Sequence, residues 1–403
     1  MYENIAILAL FAFAYSLVSD RLARTPVNGP VVYLAFGVIA GPVGLGLLDL
    51  GLEGEGIRLI AELTLALVLF SDASNADFAV LRKTIRLPGR LLLIGLPLTI
   101  LLGFGAGVLL FPGLGMLEIA ILATMLAPTD AALGKAVVSN PVVPASVREG
   151  LSVESGLNDG ICVPILFTFL ALATGSGAGE STGALALGLV AEEIGIGAGI
   201  GVGLAVVGGF GMRAAGRRGW LVGPWLRIPI VALAFASFTL AQSVGGSGFI
   251  ACFTGGLAFG ALVREHKETL FEGAEGVGEV LSLLTWVVFG AVVVLQHSGE
   301  IHWQATLFAI LSLTVVRMLP VYVSLIGLGV HTDAKLFLGW FGPRGLASIV
   351  FLVIVAQEKL PGGDTLISVV VATVVLSILG HGLSANPLAA RFGARRATSE
   401  GGG

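Results

Sequence analysis

Thirteen apolar stretches follow one another through this chain of 403 residues, each near the ~20 residues that a helix needs to cross a bilayer. They cover about 4–19, 30–48, 57–76, 90–111, 115–138, 146–173, 184–212, 228–244, 248–263, 275–296, 303–328, 335–356 and 364–388. That allows about 31 residues per stretch and about ten per connection, so no folded soluble domain is expected between them. Hydrophobic residues make up 56% of the chain and charged residues only 12%, against about 25% charged in an ordinary soluble domain. Too few charges remain to clothe a water-soluble surface. A soluble enzyme, a disordered protein and a nucleic-acid binder are excluded, which leaves an all-α polytopic membrane protein. The first stretch has no basic leader and no small-residue cleavage site before Asp20, so it reads as a retained span. Cys162 and Cys252 lie in apolar runs and read as buried small hydrophobes, with neither a disulfide framework nor metal spacing.

The basic residues order these spans. Of the 22 in the chain, 18 fall on alternate connections, with clusters at Arg21, Arg24; Arg82, Lys83, Arg86, Arg90; Arg213, Arg217, Arg218, Arg227; and Arg391, Arg395, Arg396. The intervening connections hold only Arg58 and Lys359, and Arg317 and Arg344 fall within spans. By the positive-inside rule the C-terminus is cytoplasmic and, with an odd number of spans, the N-terminus lies outside.

Two spans carry helix-breaking residues in mid-run: Ala127-Pro128-Thr129-Asp130 in the fifth and Gly342-Pro343-Arg344-Gly345 in the twelfth. Proline frees a backbone carbonyl one turn back. In a bilayer an open backbone group persists only where protein or a water-filled cavity satisfies it. Two interrupted helices in separate halves of a chain point to a transporter site, with spans four to six and eleven to thirteen as the candidate inverted repeat.

An ionisable group at mid-membrane costs about 2.5–3.5 kcal/mol on insertion scales, so each is a functional candidate. The candidates are Asp72, Asp130, Glu154, Asp159, Arg317 and Arg344, while Glu62 and Asp77 lie nearer the ends of span three. The densest cluster is Glu154-Ser155-Gly156-Leu157-Asn158-Asp159. Residues four apart share a helix face, which pairs Ser155 with Asp159 and Glu154 with Asn158. Thr129 and Asp130 offer the same hydroxyl and carboxylate from the broken span. Such hard oxygens suit an alkali cation. No His or Cys cluster favours zinc or copper. A carboxylate there can hold a cation or a proton but not both, because desolvation disfavours its bare charged form. That competition is enough to couple the two ions in an electroneutral exchange. Other roles stay open at this level: an ion pair with Arg344 or Arg317 for Asp159, a cap of backbone donors for Asp130, and a helix-end position for Asp72. The five histidines, His266, His297, His302, His331 and His381, read mostly as solvated residues at ends and loops.

Thr129-Asp130, the run Val153-Glu154-Ser155-Gly156-Leu157-Asn158-Asp159-Gly160 and Gly342-Pro343-Arg344-Gly345 resemble the signatures of the monovalent cation:proton antiporter-1 family, the NhaP/NHE-type sodium/proton exchangers. The resemblance runs through nearly the whole chain. It implies the sodium/proton antiporter fold, about 13 transmembrane helices with inverted repeats and two crossed broken helices, and a homodimer moving by elevator-like alternating access. The core would comprise residues 57–173 and 303–388, and the dimerisation scaffold residues 1–50 and 184–296. Carried over by position, Asp159 is the ion- and proton-binding carboxylate, and Asn158 the neutral partner that marks electroneutral members. Thr129 and Ser155 are oxygen ligands, with Asp130 at the helix crossing. Glu154 pairs with Arg317 as a structural ion pair, Arg344 neutralises helix ends or an acidic neighbour, and Asp72 adds an acidic group near the ion. The transported Na⁺, Li⁺ or K⁺ and H⁺ are cargo. No cofactor, nucleotide or nucleic acid is implied, and the setting is the inner (plasma) membrane with its lipids. Many members read Thr-Asp-Pro, whereas here Pro128 precedes Thr129, so the break is expected to shift by a residue or two.

Three rivals remain. A K⁺/H⁺ antiporter would use the same fold. A carrier of a larger solute would want more polar and aromatic pocket residues than are present. An intramembrane aspartyl protease using Asp130 and Asp159 would suit a shared-proton dyad, but the Gly-x-Gly-Asp pattern of that class is missing.

Overall fold

A backbone in hydrocarbon must satisfy its own polar groups, and this chain does so with helices. The computed structural model describes residues 2–23, 25, 27, 29–48, 55–75, 86–130, 133–138, 140, 142–175, 180–263, 267–294 and 302–400, and among them there is no strand. Arg24, Asp77, Arg82, Lys83, His266 and His297, named above, lie outside the described residues.

Every one of the thirteen apolar stretches holds helix. In order these are Tyr2–Ala23, Gly29–Ala40, Glu55–Asn75, Arg86–Leu110, Met116–Met125, Ala145–Gly175, Glu180–Arg217, Pro229–Ser243, Gly248–Leu262, Lys267–Val288, Trp303–Ser324, the pair Thr332–Trp340 and Leu346–Gln357, and Gly363–Glu400. Among the described residues seven helices are long and apolar enough to cross a membrane by length and composition, which makes the protein multi-pass. Short helices carry the interruptions. Met116–Met125 has 10 residues and Leu346–Gln357 has 12. At 1.5 Å per residue these are roughly 15 and 18 Å long, about half of the ~30 Å hydrocarbon core.

The second and eleventh stretches differ from the expected continuous spans. Helix Gly29–Ala40 ends before Pro42, whose ring disfavours helical backbone at Gly41. Residues 41–48 fold back instead, with Leu45 N–H bonded to Ile39 O at 2.7 Å and Leu48 N–H to Ala40 O at 2.8 Å. The eleventh breaks at Thr314, where φ is −112° and ψ −94°, between helices Trp303–Leu313 and Val315–Ser324.

By packing, the chain falls into two units. One comprises Met1–Arg58, Thr84–Asn158 and Leu283–Gly403. It contains the order helix, broken helix, helix twice: from Arg86–Leu110 to Ala145, and from Trp303–Ser324 to Gly363–Glu400. Part of its core gathers Val143, Val147, Leu151, Val321, Phe337 and Phe392, with the Phe337 and Phe392 rings stacked at 4.3 Å.

The other unit comprises Leu59–Lys83 and Asp159–Ser282. Its helices meet through glycine. A Cβ on Gly201 would collide with the Ala251 carbonyl, and one on Gly256 would lie 2.5 Å from the Phe70 carbonyl oxygen. Helix Gly248–Leu262 is therefore approached at backbone distance on two faces, a use of small residues common where apolar burial offers no gain over lipid. Cys252 is fully buried there, its Sγ 3.2 Å from the Ala234 carbonyl oxygen. Gly201→Ala is expected to force these helices apart at a cost of about 1–3 kcal/mol. Thermal unfolding in detergent should show a lowered midpoint, and an unchanged one would contradict this packing.

Candidate functional site

The site begins where two helices stop. Met116–Met125 ends at Leu126, and residues 126–130 leave the helix. The break thus falls one turn before Thr129, as the placement of Pro128 requires. Thr332–Trp340 ends at Phe341, and residues 341–345 run non-helically to Leu346. The two unwound segments meet: Asp130 N–H donates to Pro343 O at 2.8 Å, and Ser348 Oγ donates to Met125 O at 2.8 Å.

Each segment carries a charge that serves the other. Arg344, fully buried, donates from one guanidinium nitrogen to Pro128 O at 2.8 Å and also to Ala127 O. These carbonyls follow the C-terminal end of Met116–Met125, where a cation is favoured. Asp130 accepts from Leu346 N–H at 2.8 Å and from Leu133 N–H at 3.2 Å. Leu346 opens helix Leu346–Gln357, so the carboxylate lies at its N-terminal end, where an anion is favoured. The capping role left open for Asp130 is therefore present in the structure.

Every residue of Gly342-Pro343-Arg344-Gly345 has a part. A Cβ on Gly342 would collide with the Arg317 guanidinium, and a Cβ on Gly345 with the Asp130 carboxylate. Pro343 supplies the carbonyl that Asp130 N–H needs. The Arg344 N–H donates to Ser377 Oγ at 2.7 Å.

Helix Ala145–Gly175 ties itself to the unwound fifth span. Asn158 Nδ2 donates to Thr129 Oγ1 at 2.7 Å, Thr129 N–H reaches Asn158 Oδ1 at 3.4 Å, and Ser155 Oγ donates to Thr129 O. Thr129, Ser155 and Asn158 are all buried. Thr129, Asp130, Ser155 and Pro343 also line a cavity of about 10 Å³, roughly the room of one water-sized sphere. Asp159 follows Asn158 in the same helix and is only 7% exposed. Among the described residues no group of three His, Cys, Asp or Glu side chains forms a metal cluster.

Glu154 and Arg317 form a bidentate ion pair, at 2.5 Å and 2.7 Å, with each side chain 1% exposed. Asp72 is half-buried near the end of helix Glu55–Asn75.

Three contributors escape a reading by charge alone: Ser348, Ser377 and His381. His381 is 1% exposed, not solvated, and links two helices. Its Nε2 lies 2.8 Å from Trp340 O, the end of helix Thr332–Trp340, and its Nδ1 2.9 Å from Ser377 O. The available signal was the spacing of four between Ser377 and His381, which puts both on one face of the last helix.

Removing one partner of a buried ion pair strands the other at a cost of about 3–5 kcal/mol. Arg317→Ala should therefore lower the unfolding midpoint sharply, while Glu154→Met with Arg317→Met should recover most of the loss. Equal midpoints for wild type and Arg317→Ala would contradict this.

Residues 6–391 match the family described as sodium/hydrogen exchanger, transmembrane. The chain is 23% identical over 397 residues to the K(+)/H(+) antiporter NhaP of Alkalimonas amylolytica, covering 96% of this chain and 65% of that protein. It is 28% identical over 412 residues to the Na(+)/H(+) antiporter NhaS2 of Synechocystis sp., covering 95% and 69% respectively. The chain thus spans about two thirds of the length of these curated relatives. Its fold is similar to that of the sodium proton antiporter MjNhaP1 from Methanocaldococcus jannaschii at pH 8, with a TM-score of 0.77, 20% identity, and coverage of 94% of this chain and 98% of that one.

Proposed function

The chain belongs to the transmembrane sodium/hydrogen exchanger family, and we propose that it exchanges a monovalent cation, Na⁺ first and Li⁺ or K⁺ as the alternatives, for a proton. The exchange is electroneutral, one for one, by alternating access, and the protein is a transporter with no enzymatic step. The observation that carries this reading is the tie between Asn158 and unwound Thr129, one residue from buried Asp159 and beside a crossing whose helix ends hold opposite charges. The relatives named above are called K(+)/H(+) and Na(+)/H(+) antiporters, which supports the class of cargo.

The chemistry starts from the charges around the crossing. Glu154 is neutralised by Arg317, and Arg344 and Asp130 serve backbone groups at the crossing. Asn158 brings a neutral amide, so its bond to Thr129 adds no titrating group. The changing charge is assigned to Asp159, which holds the cation with Ser155 and Thr129 as oxygen ligands, or else holds a proton. Either guest neutralises the carboxylate. The empty anion is too costly to carry through an apolar barrier, so each reorientation moves one guest or the other. Asp130 keeps the negative charge at the crossing, and Asp72 adds an acidic group on the approach of the ion.

Residues 57–173 and 303–388 form the moving core in this proposal, and residues 1–50 and 184–296 the scaffold of a homodimer. The protein sits in the plasma membrane with its C-terminus cytoplasmic and N-terminus outside.

Proteoliposomes containing a pH dye test the reading. Added Na⁺ or Li⁺ should dissipate an imposed proton gradient, and parallel runs with K⁺ rank the cations. Asp159→Asn should abolish the signal without lowering the unfolding midpoint. Exchange retained in that variant would refute the assignment, and a cleaved membrane peptide without ion movement would favour a protease.

A further inference from the structure

Helix Glu180–Arg217 ends in a turn, and a short 3₁₀ helix, Gly223–Arg227, leads into Pro229–Ser243. This turn presents two kinds of side chain that rarely share a water-facing loop. Trp220 is 69% exposed, Val222 61% and Trp225 68%. On either side of them stand Arg213, Arg217, Arg218 and Arg227, all exposed. The backbone is shaped for this display: Gly219 and Gly223 take φ of +66° and +63°, a left-handed conformation open to glycine at no steric cost.

The charge here is one-sided. No Asp or Glu occurs between Glu193 and Glu265. Arg227 meets Glu272 at 2.9 Å, an exposed pair with side chains 59% and 56% accessible, and such a pair holds little energy. Arg213 donates to Leu262 O, a carbonyl at the end of helix Gly248–Leu262. The Arg218 guanidinium lies over the Trp220 ring at 4.7 Å. Arg217, Arg218 and Arg227 are thus exposed on the same turn as the two exposed indoles. Tryptophan favours the headgroup level of a bilayer, and arginine forks match phosphate oxygens.

We propose that residues 213–228 form a docking surface for the headgroups of anionic phospholipids. Trp220 and Trp225 seat the turn at the depth of the glycerol backbone, while Arg217, Arg218 and Arg227 bind the phosphodiester. Charge complementarity selects this occupant: the surface is basic and aromatic together, and an anionic lipid offers phosphate and apolar chain in one molecule. A zwitterionic lipid carries the same phosphodiester but offsets it with its own ammonium, which repels the arginines, and a free phosphate would satisfy the arginines alone.

Native mass spectrometry of the full chain in detergent tests this, with phosphatidylglycerol and phosphatidylcholine of matched chains as probes. No ion gradient is involved, so this proposal and the exchange reading can fail independently. The wild-type protein should retain phosphatidylglycerol at least tenfold better than phosphatidylcholine. Arg217→Gln with Arg218→Gln should remove that preference, at about fivefold per arginine, whereas Arg217→Lys with Arg218→Lys should keep much of it. Trp220→Ala with Trp225→Ala should weaken both lipids together. Equal retention of the two lipids by wild type, or an unchanged preference in the glutamine variant, would overturn the proposal. Displacement of the lipid by millimolar inorganic phosphate would also overturn it, in favour of an ion site. Loss of a dimer peak in the glutamine variant with lipid retention unchanged would do the same, in favour of a second copy.

Discussion

Helix ends buried in a membrane must find partners, and the crossing at Thr129 and Pro343 exists because two charged side chains provide them. Arg344 covers the carbonyls of Ala127 and Pro128, and Asp130 covers the amides of Leu133 and Leu346. Leaving a polar backbone group open in hydrocarbon costs several kcal/mol, whereas each ionisable side chain costs about 2.5–3.5 kcal/mol to insert on translocon scales. Four satisfied backbone groups outweigh two inserted charges, so the crossing is sustainable. Each side chain is also fixed in place by the groups it satisfies.

That arrangement divides the buried charges by role. Glu154 and Arg317 engage each other, and Asp130 and Arg344 are engaged with backbone groups. These four set the architecture around the site. The neutral Asn158 attaches helix Ala145–Gly175 to the unwound Thr129 without adding a charge. In the proposed exchange the charge that changes is that of Asp159, the buried carboxylate next to Asn158. Coupling of the two ions then needs no signal between sites, only competition for one group.

Much of this was legible in the sequence. The breaks at Pro128 and Gly342-Pro343 are visible because proline and glycine act locally. The fold class is visible because apolar length and alternating basic connections follow from bilayer physics. Other features were not visible, because they arise between residues far apart in the chain. That Gly342 makes room for Arg317 and Gly345 for Asp130 depends on how helices approach. Ser348 and Ser377 gave no signal because hydroxyls in apolar helices ordinarily bond to the carbonyl four residues back, as Thr99, Thr124 and Thr373 do here. His381 looked like a helix-end residue because its two carbonyl neighbours are set by packing of the last helix against Trp340. The break at Thr314 carries no glycine or proline, so the sequence there predicts a continuous helix.

The central claim is that cation and proton compete for one carboxylate. Titration calorimetry of Na⁺ binding to the detergent-solubilised protein, in buffers of different ionisation enthalpy, tests it most directly. The account predicts that close to one proton leaves for each cation bound at acidic pH, and that affinity rises with pH until the carboxylate is fully ionised. Cation uptake with no proton released, and with affinity independent of pH, would contradict it.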